Sequence, residues 1–485
     1  MCEHSLGIEA DNAKGIDVTN ELWRMGALEL GALIAKREVS SVEVTQAHLD
    51  RIDAVNPHLN AVVRRMDELA LASAAEADRR LTANGAAGPL HGVPFTIKEN
   101  IDVAGTPTTS SLPALADAIA NTDAVSVTRL RAGGAVPLGR TNLPDLGLRV
   151  ATESSLHGIT KNPWHPNRTA GGSSGGEGSA LASGMSPLGL GNDIGGSLRN
   201  PAHCCGIASI KPSTGVVPAV SVIPPEDLPL MFQLMAVEGV MARHVSDVRA
   251  GLLAIAGADV RDPVSLPVTL VDAAADRQLR VGVLAEPPGG STHPGIAAAI
   301  RAAADTFASH GAIVEEASPP SYEQAIEVWG KALMEDVRAM LPMIEMVMGD
   351  AGKQFLRAGL ASFPPLDLAT FLTLFPQRIH IEKEWALFFQ QYDVLLSPTW
   401  TQPAFEHGAD IASETAATAT LELMRPVLPA NLLGLPAAIA PVGLVDGMPV
   451  GAQLVARKYG DLTALAAAEI LEHALGTLTP IDPVL

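Results

Sequence analysis

The chain has 485 residues, of which 47% are hydrophobic and 18% charged, a balance that supports a large buried core and excludes an intrinsically disordered chain. Acidic residues outnumber basic ones by 53 to 33, giving a formal charge of −20, which argues against nucleic acid or an anionic membrane as partner because both are polyanions. Cys2 and the adjacent Cys204 and Cys205 show no metal-type spacing, so the expectation is reduced thiols, no metal and a cytoplasmic setting.

Residues 1–20 read as a polar leader without the basic start and apolar stretch of a signal peptide. The longest apolar runs, such as 432–445, are broken by Gly and Pro and are too short for a membrane span. From Glu21 helical periodicity dominates. Ser40 and Glu43 have capping-box spacing and open a helix expected to run through Ala54 and to end at Asn56-Pro57. A second helix is predicted over 67–81, and residues 92–97 read as a buried strand that delivers Lys98. Residues 122–132 have helix spacing and 135–138 strand character.

From 140 to 176 the chain is rich in Thr, Asn, Ser, Gly and Pro without periodicity, and so long an irregular stretch points to function. A small-residue helix follows over 177–184, then strands over 186–191 and 206–210, the second ending in Lys211-Pro212, and a helix over 246–256. Strand 279–284, helix 293–310 and strand 312–316 form a β–α–β alternation, which predicts an α/β/α sandwich with a mixed, largely parallel central sheet. Residues 320–392 read as helical and rich in Met, Phe and Trp. Strands over 392–396, 435–442 and 450–455 and a helix over 462–475 complete the chain. With neither repeat nor linker, the expectation is one domain over 21–485 that includes 320–392 as a helical pocket region.

Three segments carry chemistry. Ser197 follows Asp193-Ile194-Gly195-Gly196, where glycines allow a tight turn and leave amide hydrogens uncovered. The amides of Ile194, Gly195, Gly196 and Ser197 can then converge on an oxyanion. Taken alone, the segment is also an ordinary glycine turn with a capping serine. Ser173 and Ser174 lie between two glycine pairs, 171–172 and 175–176, where one can relay a proton or simply belong to a flexible loop. Gly171-x-Ser173-x-Gly175 also fits a nucleophile elbow, but that motif needs a strand directly before it, and residues 162–169 are poor strand formers. Lys98 ends an apolar run. Buried there, it loses basicity and becomes a usable base near neutral pH, although a lone lysine usually snorkels to the surface. His165, His203 and His244 read as structural, and Cys204 and Cys205 as small core residues.

In their joint order, these segments resemble the amidase signature family of serine hydrolases. The matching residues are Lys98, the glycine–serine core 171–178 and the run from Pro187 to Pro201, supported by 139–144, 161–164 and 447–451. The resemblance spans roughly 25–480. It implies the α/β/α fold of that family and a Ser–cis-Ser–Lys triad, with Ser197 as nucleophile, Ser173 as bridge after a cis peptide bond and Lys98 as terminal base. It also implies an oxyanion hole at Ile194 to Ser197, loop support from Ser174, Asp193 and Arg199, and no cofactor.

The resemblance implies hydrolysis of a small-molecule apolar or aryl amide through an acyl-Ser197 intermediate, with esters and carbamates (urethanes) as further substrates. The alternative is an amidotransferase subunit that supplies ammonia from glutamine to misacylated transfer RNA within a complex. Glu177 stands where that subunit tends to have serine, and 173–178 and 187–197 are more similar to fatty acid amide hydrolases. A non-catalytic binding protein on the same scaffold is the third reading. Candidate pocket residues are Gly147 in the loop 143–150, Thr152, Gly172, Trp329, Met334, Trp400 and Gln402, since stripes of Met and aromatic residues can line an acyl pocket as well as fill a core. A homodimer is a further expectation, from enzyme size and not from any interface stripe.

Overall fold

The computed structural model describes residues 18–223, 227–271 and 277–484. Most of the expected leader, with Cys2, lies outside these residues, and its last three positions already belong to the 3-10 helix Val18–Arg24.

Eleven strands form the central sheet. In chain order they are β1 (Val62–Arg65), β2 (Pro94–Lys98), β3 (Val136–Thr141), β4 (Leu188–Asp193), β5 (Ala208–Lys211), β6 (Val237–Ala242), β7 (Arg280–Val283), β8 (Ile313–Glu316), β9 (Val394–Pro398), β10 (Ala437–Val445) and β11 (Met448–Ala456). Their spatial order is β1-β3-β2-β4-β6-β5-β10-β11-β9-β7-β8. The sheet is mixed, and its parallel pairings form two blocks, β3-β2-β4 and β9-β7-β8. In both blocks a helix carries the chain across: Val125–Ala132 between β2 and β3, and Pro294–Ser309 between β7 and β8. Between the blocks the pairing is antiparallel. There β10 and β11 form a hairpin closed by Asp446 and Gly447, both at positive φ (52° and 76°), the backbone of a two-residue hairpin turn.

Helices cover both faces. Val125–Ala132, Val245–Ile255, Pro294–Ser309 and Asp461–Leu475 share one apolar core with Ile97, Leu190, Val240 and Leu454 of the sheet. On the other face Ser41–Leu59 and Asp67–Asn84 pack with Val136 and Leu138 of β3. The expected helical region 320–392 resolves into Tyr322–Val347, Asp350–Ser362 and Leu368–Gln391, which build a separate apolar body with Leu395 of β9, Ala437 of β10 and Val455 of β11.

Several expectations need correction. The helix opened by the Ser40–Glu43 capping box continues through Pro57 to Leu59. Its end is set instead by Asn56, whose side chain accepts from the amides of Ala61 and Val62 and donates to the Val62 carbonyl. Residues 162–169 do contain a strand, His165–Thr169, which pairs with Lys161–Asn162 in a small sheet of its own. Strand β6 and the short helices Arg199–Cys205 and Leu230–Met235 are not legible in the periodicity.

Candidate active site

Strands β2 and β4 run parallel and adjacent, so their C-terminal ends open onto one crevice, the usual position for a site in such a sheet. Lys98 ends β2 and Asp193 ends β4. Lys98 is wholly buried, as is the whole of β2. Its Nζ lies 2.7 Å from Ser173 Oγ and donates to Asn192 Oδ1 at 2.6 Å. Burial brings the Lys98 ammonium down to about 7, against the charges of Asp193 and Glu177, which favour the protonated form. Asn192 is held in turn by its own bond to Asn100 Oδ1 (2.9 Å). Asn192 falls within the matching run 187–201, but sequence reasoning gives it no role. The available signal is a polar side chain at the end of an otherwise apolar buried strand.

Glu177 sits wholly buried behind the lysine and accepts from Thr96 Oγ1 (2.7 Å) and Thr141 Oγ1 (2.8 Å). Burial pushes its carboxyl up to about 8, with the two hydroxyls and the charges of Lys98 and Arg140 working the other way.

Ser173 follows a cis peptide bond to Gly172. The loop that carries it is fixed by close backbone packing. Gly171 has φ +79°, and a side chain there would meet Pro201 Cα at 2.8 Å. Thr152 ties the loop down, its hydroxyl donating to Gly171 O (2.8 Å) and accepting from Gly175 N (3.1 Å). Ser174 N donates to Ser197 O (3.2 Å), joining the two serine segments through the backbone. Directly after this loop the helix Gly175–Ala182 begins. A strand, a loop and a helix thus surround Ser173 as in an elbow, but its hydroxyl faces a lysine.

The Ser197 loop is organised by a buried ion pair. Arg199 Nε and Nη2 donate to the two oxygens of Asp193 at 3.0 and 2.9 Å, and Asn431 Nδ2 adds a bond of 2.9 Å. Burial alone would neutralise Asp193, but Arg199 outweighs it, with help from Lys211 and Asn431, and holds the carboxyl well below the usual range. Arg199 Nη1 reaches Val427 O and Gln453 Oε1, both at 2.8 Å. Asp193 then accepts from the amides of Gly196 (2.8 Å) and Leu198 (3.1 Å), shaping the turn. Gly196 has φ +98°, and a side chain there would strike Val427 at 2.8 Å.

The expected four-amide oxyanion hole therefore needs revision: the Gly196 amide is already used. Among the described residues the amides of Ile194, Gly195 and Ser197 have no protein acceptor. Ser197 Oγ likewise has no hydrogen-bond partner among the described residues, so the link from Lys98 stops at Ser173. Catalytic hydrogen bonds often tighten only in the substrate complex.

Two lobes of one cavity meet at Ser197 and share Gly147, Leu148 and Ile194. The larger, of about 200 Å³, includes Ser173, Asn192 and Asp193. The smaller, of about 70 Å³, is apolar, with Trp329, Met334, Phe355 and Met424 around Gly195. Gly147, Trp329 and Met334 line the cavity, and a side chain on Gly147 would come within 3.2 Å of Ser173 Oγ. Trp329 also donates from Nε1 to Ile194 O (3.1 Å), bracing the loop. The other expected pocket residues are placed differently. Thr152 is the loop latch, and Gly172 packs on the backbone of Arg149 to Ala151. Trp400 lies buried behind Gly196, and Gln402 caps Ser291 O (3.1 Å), so neither lines a lobe. Among the described residues no cluster of His, Cys, Asp or Glu is arranged to hold a metal, and no helix is long and apolar enough to cross a membrane.

A hydroxyl beside three open amides, with an amine near neutrality one serine away, is equipment for acyl transfer. Comparison with known proteins points the same way. The family model described as Amidase matches residues 43–465. An indoleacetamide hydrolase of Bradyrhizobium diazoefficiens is 38% identical over 460 residues, which is 94% of this chain and 88% of that protein. A glutamyl-tRNA(Gln) amidotransferase subunit of Salinispora arenicola is 34% identical, over 95% of this chain and 99% of its own. Among solved structures, 6-aminohexanoate cyclic dimer hydrolase complexed with substrate superposes with a TM-score of 0.79 at 29% identity, covering 94% of this chain and 98% of that one.

Proposed function

The chain belongs to the Amidase family, hydrolases acting on C–N bonds, and from that premise we propose that it is a free-standing serine amidase working through an acyl-Ser197 intermediate. The observation that carries this reading is the 2.7 Å contact of buried Lys98 with Ser173, in the cavity where Ser197 meets the open amides of Ile194, Gly195 and Ser197 itself. Neutral Lys98 takes the Ser173 proton as Ser173 takes that of Ser197. Ser197 Oγ attacks the amide carbon, and the three amides hold the resulting oxyanion. The relay then returns a proton to the departing nitrogen, the C–N bond breaks, and water hydrolyses the ester left on Ser197. Asp193 and Arg199 position the loop and touch no reacting atom.

The apolar lobe supports an aryl or arylalkyl acyl group, and an indoleacetamide hydrolase among the relatives supports an arylacetamide. Esters of the same acyl group, and carbamates with a comparable aryl or arylalkyl group, are further substrates of this scheme, since an alkoxide leaves more readily than an amide nitrogen. A cytoplasmic enzyme without cofactor completes the reading.

The test is hydrolysis of an arylacetamide panel by the purified chain, with fluorophosphonate labelling of Ser197. Ser197→Ala is expected to lower kcat by at least ~10⁴-fold, the scale of losing a nucleophile, and to abolish labelling. Glutamine-dependent ammonia release only with partner proteins would favour the second reading, a component of an amidotransferase complex, which rests on the likeness to the Salinispora arenicola protein. Neither labelling nor turnover would leave a non-catalytic binding protein.

A further inference from the structure

The larger lobe carries an acceptor that acyl transfer does not use. Glu238 on β6 lies directly opposite Asn192 on β4, and directly opposed residues of an antiparallel pair share one face of the sheet. Glu238 is 7% exposed and lines the lobe. Ser126 Oγ donates to its Oε2 at 2.5 Å, while among the described residues Oε1 has no hydrogen-bond partner and the side chain has no ion pair. Burial pushes this carboxyl up to about 7, the Ser126 bond works against the rise, and the like charges of Asp102 and Asp262 add to it. Thr108 lines the same lobe at 2% exposure, but its unpartnered hydroxyl has almost no accessible surface of its own. Buried polar groups are normally satisfied, so the open Glu238 oxygen on the cavity wall points to a ligand that brings donors. An ammonium brings three donors and no acceptor.

The side of the cavity follows from the proposed amidase reading, on which this inference rests. The departing nitrogen takes its proton from Ser173, and Ser173 lines the larger lobe but not the smaller one. The larger lobe therefore receives the amine half of the substrate. We propose that it is a leaving-amine subsite for amides whose amine carries a second, cationic amino group, as in mono-acylated alkane diamines, with Glu238 accepting from the distal ammonium. Ile223, Phe232, Met340 and Met343 supply apolar wall for the methylenes between the two nitrogens. In the step itself Ser197 Oγ bonds to the acyl carbon, the C–N bond breaks, and the departing nitrogen gains the proton lost by Ser197. The free diamine leaves, and water cleaves the acyl ester.

The experiment compares arylacetyl N-butylamide with arylacetyl N-(4-aminobutyl)amide, which differ in the terminal amino group, on the full chain at pH 8. The wild type is expected to prefer the aminobutyl amide by at least ~10-fold in kcat/KM, the equivalent of one charge-assisted hydrogen bond. Glu238→Gln should bring that ratio close to one. Equal kcat/KM for the two amides in the wild type, or a preference that survives in Glu238→Gln of unchanged circular dichroism, overturns the proposal while leaving the amidase reading intact. Calorimetry with butylamine, an ammonium at pH 8, against butan-1-ol separates the two claims if no amide is turned over. Tighter binding of the amine, lost in Glu238→Gln, keeps the subsite and rejects the amidase reading, whereas equal binding rejects the subsite.

Discussion

The surroundings of Lys98 and of Lys211 invite comparison. Each lysine ends a buried strand after an isoleucine, each is wholly buried, and burial brings each down to about 7. Yet Lys98 Nζ touches Ser173 Oγ and Asn192 at the edge of the cavity. Among the described residues Lys211 Nζ reaches only the carbonyl of Pro212 (2.9 Å), behind the Asp193–Arg199 pair and away from both lobes. On the amidase reading, a neutral amine is thus not enough to make a base: it also needs a hydroxyl path towards the reacting atom and a second anchor that aims it.

The largest break in this comparison should come from Lys98→Ala, with amide kcat falling at least ~10³-fold as for other members of a catalytic unit. Ester turnover should fall less, because a good leaving group does not need the returned proton. Equal losses on matched ester and amide substrates would remove the relay. Next in size is Asn192→Leu, which deletes the anchor that Lys211 lacks. A loss of about 10–100-fold, in kcat more than in KM, is expected from misplacing a reacting group. Unchanged kcat would make Asn192 a bystander.

Glu177→Gln sharpens the comparison through pH. On the proposed relay Lys98 must be neutral to act, so kcat/KM should rise with pH through about 7. The Glu177 charge favours the ammonium, but its own carboxyl lies at about 8 and is mostly protonated as Lys98 titrates, so its removal should move that limb only slightly to lower pH. A shift to higher pH, or a large shift to lower pH, would contradict the arrangement. The smallest effect on turnover belongs to Lys211→Met, with kcat expected within ~2-fold of wild type, as for a change that leaves the reacting groups untouched. Its effect lies in stability. Between the native value of about 7 and the ordinary lysine value, the unfolded chain holds a proton that the native state does not, so stability gains with rising pH. Denaturation at pH 7 and pH 10 should show the wild type gaining on Lys211→Met as pH rises. Parallel changes would place the proton elsewhere.

The same two lysines show how far the sequence could be read. Thr96-Ile97-Lys98 and Ser209-Ile210-Lys211 are near copies locally. Only the joint order of Lys98 with the glycine-dense serine segments, and the family resemblance it carries, singles out the first. The alternation in β7, β10 and β11 is legible because those strands are apolar and lie beside clear helices or turns. Strand β6 is not, because Glu238 and Gly239 interrupt its apolar run. Pocket walls are least legible. Trp329 and Trp400 look alike as isolated aromatics, yet one lines the apolar lobe and the other lies behind Gly196, a difference set by packing between distant segments. The same holds for the Gly196 amide, whose engagement depends on how Asp193 folds back over the turn.

Arg199 joins the Ser197 loop to Val427, Asn431 and Gln453, partners that leave the ribosome more than two hundred residues later. A nascent chain that has made Lys98, Ser173 and Ser197 still lacks the groups that fix the turn around Ser197. Completion of that turn is thereby deferred until nearly the whole polypeptide has been synthesised.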